Sequence, residues 1–205
     1  MFMNSPFEEN LPKNQANYSP LTPLSFLTRT AEVFPERTAV IHGEIKRNWR
    51  ETLKRCTRLA SALKKKGVVQ GTTVSVMAPN VPELLEAHFG VLMTGGVLNA
   101  LNIRLEAETL VYILEHGESQ VLITDREFSP VIKKVLQQLE EPPLVIDIDD
   151  PMAEGGELLG EMDYEAFLKT GDENFEWNLP EDEWQAVSLN YTSGTTGKPK
   201  GVVYH

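Results

Sequence analysis

With 205 residues, 41% of them hydrophobic and 24% charged, the chain can bury one sizeable core and has the balance of an ordinary globular domain. The single cysteine, Cys56, excludes an internal disulfide and suits a reducing compartment, which points to the cytoplasm. A net charge of −11, no basic stripe and no run near the roughly twenty apolar residues needed to cross a bilayer argue against a nucleic-acid binder and a helical membrane protein.

Residues 1–23 are polar and rich in Pro and Asn, and read as an extension ahead of the domain. They lack a basic start followed by an apolar core, so they do not read as a signal peptide. Glu8 and Glu9, with no arginine before Arg29, argue against a mitochondrial leader. An amphipathic helix is expected over 24–34, ended by Pro35. Two extended runs, 38–42 and 45–49, flank Gly43 and Glu44 as a hairpin. A helix over 50–66 stops at Gly67 with Lys64, Lys65 and Lys66 in its last turn, where the helix dipole favours cations. That explains three adjacent lysines more simply than a phosphate site does. Cys56 falls at helical spacing with Leu53, Leu59 and Leu63 and reads as core packing rather than as a nucleophile.

A strand over 73–77, a helix over 81–94 capped by Asn80 with Glu83 three residues on, and a strand over 97–101 come next. A helix over 107–116 stopped by Gly117, a strand over 120–124, a helix over 130–139 and a strand over 144–148 follow. This alternation predicts an α/β fold with a mostly parallel, helix-covered sheet. Ligands in such sheets sit beyond the carboxyl ends of the strands, so the loops after Met77, Leu101 and Thr124 should border a site. Asn80, Asn102 and Arg104 lie in or near these loops, although a helix cap for Asn80 and a surface charge for Arg104 are the plainer readings.

Residues 140–183 hold 16 acidic residues against one basic residue, Lys169, while the remainder holds 14 acidic and 18 basic. The acidity therefore belongs to one segment, read as a solvated linker over 150–183 with one short helix at 164–169. Asp147, Asp149 and Asp150 lack the glycine spacing and distal Glu of a calcium loop and read as a solvated turn. His88 and His116 have no second ligand at i+4, which argues against a helical metal site.

The richest chemistry is in the last fifteen residues. A strand over 184–191 runs into Thr192, Ser193, Gly194, Thr195, Thr196, Gly197, Lys198, Pro199 and Lys200, and a second extended run starts at Gly201. Glycines let backbone N–H groups turn toward an anion, four hydroxyls can donate to phosphate oxygens, and Lys198 and Lys200 bring mobile positive charge. Only two residues separate Gly194 from Gly197 and Pro199 follows Lys198, so this is not the loop of the nucleotide-hydrolase class. The reading is strand–loop–strand, with phosphate held by loop amides, hydroxyls and lysines and with the last strand leaving an open edge.

Residues 191–201 resemble the phosphate-binding signature of AMP-forming acyl-activating enzymes: acyl-CoA synthetases, peptide-synthetase adenylation domains and luciferase-like ligases. The stretches 74–83, 95–105 and 172–177 are similar to the branch acting on short and medium acyl chains, which includes plant acyl-activating enzymes and bacterial methylthiopropionyl-CoA ligases. The resemblance implies that residues 24–205 form the first part of an adenylation domain. It implies an ATP-dependent acid–thiol ligase that joins a carboxylic acid to CoA through an acyl-adenylate. The loop would bind the β- and γ-phosphates of ATP through Thr192, Ser193, Gly194, Thr195, Thr196, Gly197, Lys198 and Lys200, with Thr192 the hydroxyl nearest Mg²⁺. It places no catalytic side chain in this stretch, and an isolated 1–205 is expected to be inactive. His205 falls where the family often carries a histidine and is a candidate on the substrate side. A non-catalytic polyphosphate-binding module and an enzyme loading a carrier protein are the alternatives.

Overall fold

A computed structural model of the chain describes residues 7, 9–12, 14, 16–192 and 197–205. The first helix, α1 (Pro23–Val33), starts where the Thr22 hydroxyl accepts the Leu24 N–H and Pro23 takes a first-turn position that needs no N–H. Strands β1 (Thr38–His42) and β2 (Ile45–Asn48) pair as the expected antiparallel hairpin. Asn48 then opens α2 (Trp49–Lys65) with a reciprocal capping box. Its side chain accepts the Glu51 N–H at 2.8 Å while the Glu51 carboxylate accepts the Asn48 N–H at 2.8 Å.

The central run is β3 (Thr73–Met77), α3 (Pro82–Gly90), β4 (Val97–Ala100), α4 (Ala107–His116), β5 (Ser119–Asp125), α5 (Ser129–Leu136) and β6 (Leu144–Ile148). The chain continues through β7 (Met162–Asp163), α6 (Tyr164–Lys169), β8 (Ser188–Thr192) and β9 (Lys200–Tyr204). Seven strands form one sheet in the order β7-β6-β5-β3-β4-β8-β9, every pair parallel except the antiparallel β8–β9 pair. From β3 the chain steps one way to β4, then back across β3 to β5 and on to β6. Right-handed crossovers therefore put α3 on one face and α4 and α5 on the other. Leu59, Leu63, Ala87 and Phe167 bury the first face against Val74, Val76 and Ile146. Leu110, Ile113, Ile132 and Val135 bury the second against Met77, Leu101 and Leu122. Cys56 sits in a third cluster, where α1 packs Leu24 and Leu27 onto α2. It is fully buried as expected, and burial pushes its thiol pKa up and keeps it protonated.

Three expectations change. The helix over 81–94 divides, because α3 ends at Gly90 and a separate 3₁₀ turn spans Leu92–Thr94. Asn80 does not cap it: Val81 is the N-cap with no side-chain bond, and Pro82 removes one of the N–H groups a cap would serve. The acidic segment is partly structural rather than a solvated linker. Its residues 162–163 form edge strand β7. Asp147 accepts the N–H groups of Leu159 and Gly160 at 2.9 and 2.6 Å, and Asp150 accepts that of Met152 and meets His42 Nε2 at 3.0 Å. Both carboxylates are buried, and among the three aspartates Asp149 alone is exposed, paired with Arg126 at 3.1 Å.

A buried ionic group fastens the hairpin to the helices. Glu86 of α3 is 1% exposed and receives Arg47 of β2 at 2.9 Å, Arg55 of α2 at 2.6 Å and the Tyr164 hydroxyl of α6 at 3.0 Å. Arg55 also holds Glu165 through both terminal nitrogens, at 2.9 and 2.5 Å. Burial works against the Arg55 charge, yet its hydrogen bonds to Glu165 and Glu86 outweigh that and raise its pKa further.

Candidate functional site

Parallel strands β3, β4 and β8 point their carboxyl ends to one edge of the sheet, and the chemistry-bearing loop leaves from the last of them. β8 and β9 form the strand–loop–strand unit expected from sequence, although β8 begins at Ser188 and the expected strand residues 184–187 lie outside it. Thr192 pairs with Lys200, Tyr191 with Gly201 and Asn190 with Val202. β9 is the end strand of the sheet, with every residue exposed, as the open-edge reading required.

Of the candidate loop residues, Thr192 ends β8, Lys200 begins β9 directly opposite it, and both are exposed. Gly197 has φ +140°, a value that strains any residue with a Cβ, and nothing among the described residues crowds it. Lys198 projects over the ring of Tyr112 on α4, its Nζ 4.8 Å from the ring centroid. Ser193, Gly194, Thr195 and Thr196 lie outside the described residues.

A cavity of about 430 Å³ is lined by Asn102, Thr109, Asn190, Thr192, Gly197 and Pro199. Asn102, anticipated from the strand-end argument, therefore borders the loop. Its side chain also accepts the Arg104 N–H at 3.0 Å, which shapes the turn after β4 and leaves Arg104 exposed. Asn80 instead lines a larger and mostly apolar cleft of about 680 Å³, with Ile41, Leu85, His88 and Val187. His205 follows Tyr204, which pairs with Ser188 at the opposite end of the hairpin from the loop, and it stacks on Trp184 at 4.2 Å. The geometry thus separates His205 from the lysines.

Tyr112, which sequence reading left aside, and His116, which it weighed only as a metal ligand, hold the base of the loop. They are one helical turn apart on α4, and i, i+4 spacing was the available signal. Tyr191 hydrogen-bonds His116 Nδ1 at 2.7 Å and meets the Tyr112 ring edge-on at 6.5 Å and 81°. Burial, with Tyr112 as a further cause, raises the Tyr191 pKa, so the phenol keeps its proton. The approach is possible because residue 117 is glycine. A Cβ there would meet the Ile113 carbonyl at 2.9 Å and both Leu189 and the Tyr191 oxygen at 3.3 Å. No group of three metal-ligating side chains exists among the described residues. The arrangement can offer one hydroxyl and two ammonium groups to an anion at a strand end, beside a half-polar cavity.

Comparison with known proteins agrees with this geometry. The profile of the AMP-binding enzyme family matches residues 27–205. The chain is 48% identical to a peroxisomal acetate/butyrate–CoA ligase of Arabidopsis thaliana, over 96% of this chain and 37% of that protein. It is 47% identical to an acetate–CoA ligase of Humulus lupulus, over 95% of this chain and 36% of that one. Among solved structures it is similar to the anthranilate CoA ligase AuaEII in complex with anthranoyl-AMP. The TM-score is 0.78 at 26% identity, covering 88% of this chain and 34% of that chain. It is also similar to the inhibitor-bound N-terminal domain of FACL13 from Mycobacterium tuberculosis, with a TM-score of 0.73 at 25% identity, covering 88% and 43%. The chain spans little more than a third of the length of the curated relatives it matches.

Proposed function

The chain belongs to the AMP-binding enzyme family, and on that premise we propose that it supplies the phosphate-binding part of an ATP-dependent acyl-CoA ligase acting on a short or medium carboxylic acid. The observation that carries the reading is the convergence of Thr192, Gly197, Lys198 and Lys200 at the carboxyl end of β8, in a strand–loop–strand unit. Relatives sharing this stretch are named as acetate, butyrate and 2-methylpropanoate CoA ligases.

In the proposed reaction a carboxylate oxygen attacks the α-phosphorus of ATP and the bond to the β-phosphate oxygen breaks, releasing pyrophosphate and leaving an acyl-adenylate. CoA thiolate then attacks the acyl carbonyl and AMP leaves with the bonding pair. Ser193, Gly194, Thr195 and Thr196, together with Thr192, Gly197, Lys198 and Lys200, would hold the β- and γ-phosphates and stabilise charge on departing pyrophosphate. Mg²⁺ fits this donor set, because that ion keeps waters and substrate oxygens and needs few protein ligands, here the Thr192 hydroxyl. Residues 24–205 would be the first part of the adenylation domain, with 1–23 an extension. The single buried cysteine favours a cytoplasmic setting, whereas some relatives are named as peroxisomal.

The test is exchange of labelled pyrophosphate into ATP by the natural gene product, given a panel of carboxylic acids. Exchange with acetate, butyrate or branched short acids is expected. Silence across the panel removes the reading. The 205-residue chain alone should form no acyl-CoA, since one phosphate loop cannot orient acid, α-phosphorus and thiol together, an effect worth about 7–11 kcal/mol in favourable cases.

A further inference from the structure

We propose that Tyr112 and His116 of α4 form an aromatic platform that positions Lys198 for polyphosphate by fixing both limbs of the loop at once. The inference rests on the function proposed above and adds two residues to it.

The outgoing limb is held through Tyr191, whose hydroxyl is hydrogen-bonded to His116 Nδ1 at 2.7 Å. The returning limb is held through Lys198, whose ammonium lies 4.8 Å from the Tyr112 ring centroid. The two holding groups also brace each other. The rings of Tyr112 and His116 are 5.1 Å apart, and Tyr191 stands edge-on to both, at 6.5 and 5.8 Å. The platform is itself rigid, since the neighbouring α4 residues Leu110, Ile113 and Leu114 are buried in the core against the sheet.

An exposed lysine samples many rotamers, and ordering its stem on a ligand is entropically costly. The electron-rich face of Tyr112 attracts the ammonium from one side only. Lys198 remains exposed, so its other donors stay open to a phosphate oxygen. Ordering the lysine before the ligand arrives should therefore tighten binding, and Tyr112 acts through Lys198 as a positioning residue.

The test measures binding of inorganic tripolyphosphate and of Mg-ATP to the natural gene product by calorimetry. The variants are Tyr112→Leu, Tyr112→Phe, Lys198→Met and the Tyr112→Leu/Lys198→Met double. A cation–ring contact at an exposed site corresponds to about a two- to fivefold loss for Tyr112→Leu. Tyr112→Phe keeps the ring and should stay within about twofold of wild type. The double variant should bind no worse than Lys198→Met, because the platform has nothing left to position. In NMR spectra the Lys198 ε-methylene protons should be shifted upfield by the ring in wild type and in Tyr112→Phe. That readout keeps the idea testable should Tyr112→Leu fold poorly. Losses that simply add, or Lys198 protons at their free-lysine position, overturn the platform while polyphosphate binding persists. A wild type that binds neither probe removes the proposed function, and the platform's purpose with it.

Discussion

The two ends of the sheet are built on opposite terms. Around β3, β5 and β6 the strands are buried on both faces: all five residues of β3 are buried, and helices cover both sides. At the other end β8 is half-buried and β9 is exposed along its whole length. The buried end carries its ions in a closed group around Glu86, where each charge meets an opposite one. The open end carries Lys198 and Lys200 at an exposed turn, with one ring beneath the first. Ions at the first end hold helices together. Lys198 and Lys200 at the second form no ion pair among the described residues, which suits recognition of an anion. The division predicts that stability and binding can be damaged separately.

The largest effect should come from Glu86→Ala. It leaves the half-buried Arg47 and Arg55 without their central carboxylate and takes the acceptor from the buried Tyr164 hydroxyl. Breaking a buried pair from one side costs about 3–5 kcal/mol, read as a lower urea midpoint. A variant within 1 kcal/mol of wild type would show that the group is not cooperative and would blur the contrast between the two ends. Lys198→Ala should do the converse. Losing a charged hydrogen bond to phosphate costs about 1.5–3 kcal/mol, or roughly ten- to a hundredfold in Mg-ATP affinity, with the urea midpoint of the nucleotide-free protein unchanged. A large fall in stability would mean that the open end is structural too.

How much of this was legible in the sequence divides along the same line. The alternation of β3 to β6 with helices was readable because parallel strands and their covering helices write their periods locally, and so was the loop, whose glycines and lysines are contiguous. The Glu86 group was not, because Arg47, Glu86 and Tyr164 are far apart in the chain and meet only once α2, α3 and α6 have packed on one face. Asp147 and Asp150 were misjudged for the same reason: the N–H groups that the Asp147 carboxylate satisfies belong to Leu159 and Gly160, and the ring beside Asp150 belongs to His42. Tyr112 and His116 could be placed on one helix face, but nothing local announces that β8 docks there. That contact depends on Gly117.

Gly117→Ala probes the junction between the two ends. Its Cβ would enter the space of the Ile113 carbonyl, Leu189 and Tyr191, and overpacking of this kind costs about 1–3 kcal/mol. The damage should reach both readouts, lowering the urea midpoint and weakening Mg-ATP binding by shifting Tyr191 off His116. If only stability falls, the loop does not depend on how β8 seats against α4.

The smallest effect is a slope, and it separates two carboxylates of the same ionic group. Burial is the main cause that raises the Glu83 pKa above its usual 4.5. The charge of Glu86 adds to it, and Arg47 and Arg55, at 3.8 and 4.0 Å, offset it only in part. The folded protein therefore holds this proton to higher pH than the unfolded chain does. Its contribution is fully present below pH 4.5 and is lost as pH rises through the raised value. Glu165 has the opposite sign. Its hydrogen bond from Arg55 lowers its pKa, so its contribution is present above pH 4.5 and is lost as pH falls through the lowered value. Glu83→Gln should flatten the decline of stability just above pH 4.5 and leave the acid limb unchanged. Glu165→Gln should soften the acid limb alone, and only modestly because that side chain is half exposed. Urea midpoints measured across pH 3 to 7 decide it. If both variants change the same limb, Glu83 and Glu165 titrate as one unit, and the assignment of opposite signs to the two carboxylates is wrong.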